Sequence, residues 1–164
     1  MIYFILAFSL LFEVAVSNIV GMYTFLTPFF TLTALTMLYP YFNNKKVNFI
    51  ITCTIIGFIY DVIFTDSLFI NTLTFALISL LIILIYNYIK YNIINSSIIN
   101  VIAISIYRII SYVLLLIVDY LSFNFHTLSS GIYNSLLINI VYGVLVYLFA
   151  DVIARMFNIK KMKS

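Results

Sequence analysis

The segment from Val47 to Phe64 holds one charged residue, Asp61. Its length restricts what it can become, because about 20 mostly apolar residues at 1.5 Å rise cross the roughly 30 Å hydrocarbon core of a bilayer. Five more runs of the same kind surround it: Ile2–Ile19, Phe25–Phe42, Leu68–Tyr88, Ile98–Val118 and Ile132–Phe157. In lipid the backbone must satisfy its own N–H and C=O groups, so each run reads as a helix. A membrane barrel would instead show alternating segments of about ten residues. The expected fold is all-α: a polytopic membrane protein with six transmembrane helices. It forms a single domain over residues 1–164, with a short basic tail over 158–164.

The chain is 65% hydrophobic and 8% charged, against roughly 25% charged in an average soluble domain. So few charges could not cover a soluble core. No Lys or Arg precedes Lys45. The first run therefore lacks the positive flank of a signal peptide and reads as a retained span. Thr27-Pro28 predicts a cap followed by a proline at the start of the second run. Ser96-Ser97 are cap candidates for the fifth.

The basic residues set the topology. Lys45 and Lys46 lie between runs two and three, Lys90 between four and five, and Arg155, Lys160, Lys161 and Lys163 at the end. Six spans put all of them on one face, while Asp66, Asp119 and His126 fall on the other. By the positive-inside rule both termini are cytoplasmic.

Few polar groups lie inside the runs. Asp61 shares a helical face with Gly57 and Thr54. Small residues on such a face allow a neighbouring helix to approach, so Asp61 is either a helix-packing acid or a proton or ligand site. Glu13 and Arg108 stand at equal depth with opposite sign, and each costs about 2.5–3.5 kcal/mol at a helix centre. They form a candidate ion pair, or they line a polar cavity. Ser105, Arg108, Ser111 and Tyr112 form a polar stripe at helical spacing, matched on the last run by Ser135, Asn139, Tyr142 and Gly143. Asp151 and Arg155 are expected to pair at i,i+4. Cys53 is the only cysteine and reads as a small buried residue. His126 has no second His or Cys near it, so no metal site is expected. No Ser–His arrangement or phosphate loop is present. No cofactor, no catalytic residue and no nucleic-acid partner are expected.

Gly57-Phe58-Ile59-Tyr60-Asp61, followed by Thr65 and then Ser67-Leu68, resembles the central motif of the MreD family of bacterial rod shape-determining proteins. The length, the six spans, the basic tail and the inner Asn139 are similar as well. The family's usual second Gly falls at Phe69 here. The resemblance implies a helix-packing motif at Gly57, Tyr60, Asp61, Asp66 and Leu68. It also implies a non-enzymatic scaffold in the bacterial cytoplasmic membrane. Such a scaffold acts with an MreC-like bitopic partner and with peptidoglycan synthases of the elongation machinery, amid membrane lipid, and self-association is left open. The family's fold is similar to the substrate-binding subunits of energy-coupling-factor transporters. The alternative is therefore a vitamin-binding subunit of such a transporter.

Overall fold

The computed structural model describes residues 1–20, 27–42, 45–64, 69–117, 119, 122–159 and 161. Among these are six α-helices: α1 (Ile2–Val20), α2 (Phe30–Leu38), α3 (Lys46–Phe64), α4 (Ile70–Tyr86), α5 (Ile93–Ile117) and α6 (Phe125–Met156). A 3-10 turn over Tyr39–Phe42 continues α2. Asp66 and Leu68 of the expected packing motif, with Thr65 and Ser67, lie outside the described residues.

Four helices, α1, α3, α5 and α6, are long and apolar enough to cross a membrane, and α4 is an apolar helix just short of that length. The second run departs from expectation. It is not one long helix. Thr27 to Phe29 are non-helical, and α2 itself has only 9 residues, all buried. Thr27-Pro28 therefore does not cap it, and Phe29 at the cap position offers no side-chain hydrogen bond. The reason is tertiary, because side chains from other helices supply what a local cap would.

α2 is the centre of the bundle. It packs on α1, α5 and α6, while α3 and α4 form a tight hairpin that joins through α4 to α5. Ala34, Leu35, Met37 and Leu38 are fully buried in this core. α1 touches the rest of the bundle chiefly through α2, and leaves Tyr3, Phe4, Phe8 and Leu11 facing outward. Apolar residues on such a surface are stable in lipid and would not be in water.

The helix ends follow local chemistry that hydropathy does not register. α5 begins at Ile93, ahead of Ser96-Ser97, because the Asn92 side chain accepts the Asn95 N–H at 2.7 Å. Ser96 is instead buried inside the helix, where its hydroxyl meets Tyr86 Oη at 3.0 Å. α6 begins at Phe125 because Asn124 Oδ1 accepts the His126 N–H at 2.9 Å. Lys46 Nζ donates to Asn87 Oδ1 at 3.2 Å, and Lys161 reaches Tyr41 and Tyr91. Lys46, Lys161 and the turn carrying Lys90 thus gather at one end of the bundle, with Arg155 near them through its partner Asp151.

Candidate functional site: two helix N-termini capped inside the bundle

The first four N–H groups of a helix have no partner within it. At a helix start away from water each unsatisfied group costs several kcal/mol. α2 begins in the interior, and α4 begins with Asn71 buried beside an outward-facing Phe69. Each receives a buried acid from another helix, and the N-terminal end of a helix favours a negative charge.

α4 is capped by Asp61 of α3. One carboxylate oxygen accepts the Asn71 N–H at 2.8 Å, and the other accepts the Thr72 N–H at 2.9 Å and the Thr72 hydroxyl at 2.6 Å. Asp61 is only 1% exposed. Gly57, one turn earlier, makes this reach feasible. A Cβ built there would stand 2.6 Å from Asn71 O and 2.8 Å from Thr72 Cα, both backbone atoms. The small-residue face of α3 is therefore an internal seam against α4. Phe69, just before α4, has φ 73°, in the left-handed region that favours glycine. Its side chain points outward, 61% exposed, so the position constrains the backbone and not the packing.

α2 is capped by Glu13 of α1, whose Oε2 accepts the Thr31 N–H and the Thr31 hydroxyl, both at 2.8 Å. Asn139 of α6 completes the arrangement. Its Oδ1 accepts the Phe29 N–H at 2.8 Å, and its Nδ2 donates to Thr27 O at 3.1 Å and Ser135 O at 2.5 Å. Arg108 of α5 donates from Nη2 to the Thr27 hydroxyl at 2.5 Å, and its guanidinium lies 4.6 Å from the centre of the Phe29 ring. That cation–π contact partly offsets the cost of holding the charge here.

The expected Glu13–Arg108 ion pair is therefore not formed. The two residues lie on the same structural problem from different sides: Glu13 holds Thr31, Arg108 holds Thr27, and the chain from Thr27 to Thr31 runs between them. The other members of the expected stripe have separate uses. Ser105 donates to Val101 O of its own helix at 2.8 Å, and Ser111 Oγ is buried without a hydrogen bond. Tyr112 Oη accepts the Asn124 N–H at 2.6 Å and so ties α5 to the start of α6. Asp151 and Arg155 do pair, at 2.7 Å, with Arg155 largely exposed, so the bond is worth less than about 1 kcal/mol.

The two caps are connected. Tyr107 Oη donates to Asn71 Oδ1 at 2.5 Å, and its ring meets Phe29 edge-on at 4.8 Å. Tyr60, next to Asp61, packs its ring at a tilt against Phe75 at 4.9 Å and carries its hydroxyl beside Glu13 and Thr31, outside hydrogen-bond geometry. Sequence reading missed Thr31, Asn71 and Tyr107, and gave Thr27 the role of a local cap in place of a partner for Arg108 and Asn139. The i,i+4 threonines around Pro28 and the Asn71-Thr72 pair at a helix start were the visible signals. Among the described residues no three His, Cys, Asp or Glu gather as a metal site.

A bundle of apolar helices whose interior polar groups hold one another's ends defines a multi-pass membrane protein. A model of the rod shape-determining protein MreD family matches residues 1–157, and the chain belongs to that family. Neither the curated proteins nor the solved structures provide a match.

Proposed function

We propose that this chain is a non-enzymatic scaffold of the cell-wall elongation machinery, held in the bacterial cytoplasmic membrane with both termini inside. It binds the single transmembrane helix of an MreC-like partner and through it supports the peptidoglycan synthases of the complex. One observation carries this reading beyond family membership: the intramembrane polar groups Glu13, Asp61, Asn139 and Arg108 are engaged with groups of the chain's own backbone segments and threonines. Such groups build a rigid shape, which is what a scaffold offers.

The face offered to the partner is the groove between α1 and α3, about 420 Å³ in volume and lined by Tyr3, Ala7, Leu10, Asn48, Thr52 and Ile55 among others. Small Ala7 and the two polar side chains favour a close helix contact. The test is photocrosslinking in native membranes from residues placed at Ala7 and Ile55, with Ile98 on α5 as the comparison. Crosslinks to a single-span protein from Ala7 and Ile55 support the reading. Crosslinks from Ile98 alone move the face to α5. Copurification of a small metabolite with no protein partner points to the transporter-like alternative.

A further inference from the structure

The chain turns sharply after α6. Phe157 ends the helix, Asn158 has φ 50°, the Ile159 N–H reaches Ala154 O at 2.8 Å and the Asn158 N–H reaches Arg155 O at 3.4 Å. This is the paired 6→1 and 5→2 arrangement that closes a helix with a left-handed residue. Asn is one of the few residues that takes that conformation readily. Ile159 then packs against the core. The backbone is thus built to turn Ile159 back onto the bundle.

It delivers Lys161 to a box of three tyrosines. The ammonium lies 5.4 Å from the Tyr91 ring centre, 5.7 Å from Tyr41 and 6.0 Å from Tyr147. The rings come from the 3-10 turn, the α4–α5 connection and α6, and Tyr91 packs on Tyr147 at 5.1 Å and Tyr41 at 6.1 Å. Asp151 closes the box with an ion pair to Lys161 while its other oxygen holds Arg155. Rings with a carboxylate at the base are the chemistry that recognises an ammonium.

We propose that Tyr41, Tyr91, Tyr147 and Asp151 form an ammonium-binding site at the basic end of the bundle, and that the chain fills it with its own Lys161. Lys161 is thereby latched, and the three elements that supply the rings are drawn together. None of the residues that cap α2 or α4 takes part.

The test uses the full-length protein in lipid nanodiscs. Its lysines are converted to ¹³C-dimethyl-lysine, which keeps the positive charge, and observed by NMR. One methyl resonance, assigned by its loss in Lys161→Arg, should be shifted upfield by the ring currents of the box. The shift should persist in Tyr91→Phe and collapse in Tyr91→Leu and in Tyr147→Leu. Amine acylation followed by mass spectrometry gives a second reading: Lys161 should react about ten-fold slower in the unchanged protein than in Tyr91→Leu, the scale expected when ring contacts are lost. An unshifted Lys161 resonance in the unchanged protein overturns the proposal, and that result needs no ring variant to fold. An upfield shift that survives both leucine variants also overturns it.

Discussion

Asp61 holds Thr72 twice, accepting its backbone N–H and its hydroxyl on one carboxylate oxygen while the other oxygen takes Asn71. A buried acid is thereby converted from a cost into a cap. Asp61→Asn keeps one acceptor and turns the other into a donor facing donors. It should lose about 1–3 kcal/mol, the scale for a buried group left unsatisfied, and Asp61→Ala should lose more. Unfolding midpoints in detergent would show the order. Equal midpoints for both variants and the unchanged protein would remove Asp61 from its role.

Glycine variants separate close packing from mere smallness. Gly57→Ala should destabilise by about 1–3 kcal/mol, because the new methyl meets the α4 backbone and neither helix can move alone. Gly131→Ala should be neutral, since the nearest atoms are 4.0 Å away on the Arg108 side chain. Thermal unfolding of the two proteins side by side decides it.

Phe69→Gly should stabilise. The residue sits at φ 73°, a conformation that costs a side-chain-bearing residue about 1–2 kcal/mol. Its ring gives up only a distant, outward contact with Phe58 at 6.4 Å. A rise in the unfolding midpoint is expected, and a fall would mean that the ring contact outweighs the backbone strain.

Glu13 and Arg108 should not rescue one another. If they neutralised each other directly, the double change Glu13→Gln with Arg108→Gln would recover what each single loses. Because Glu13 serves Thr31 and Arg108 serves Thr27, the losses should accumulate. Membrane abundance and unfolding of the three variants give the cycle, and recovery in the double would restore the ion pair.

Orientation is open to labelling. With buried Cys53 replaced by Ala, a cysteine at Ser129 should react with an impermeant reagent in intact cells, and one at Ser164 should not. The reverse pattern would invert the topology that the lysines imply.

Much of the fold was legible because lipid imposes one rule on every span. The runs Ile2–Ile19 and Val47–Phe64 coincide closely with α1 and α3. The fifth run extends back to Ile93 and the sixth to Phe125, since Asn92 and Asn124 start helices before the apolar stretch begins. The second run could not be read from hydropathy. An extended segment and a helix look alike when both are apolar, and the difference rests on Glu13 and Asn139, which are distant in sequence. The equal depth of Glu13 and Arg108 located the right region, yet the charges pointed to each other more readily than to threonines between them.

The capping of α2 also bears on how the protein is made. Nine residues are too few to hold a segment in lipid by hydrophobicity alone, so α2 depends on neighbours for its place. Glu13 has already been synthesised when Thr31 emerges, but the acceptor for the Phe29 N–H arrives 110 residues later. The last helix to be inserted therefore finishes the start of the second. A chain stalled before α6 would carry α2 with half of its cap, and would present to quality-control proteases a segment that the finished bundle hides on every side.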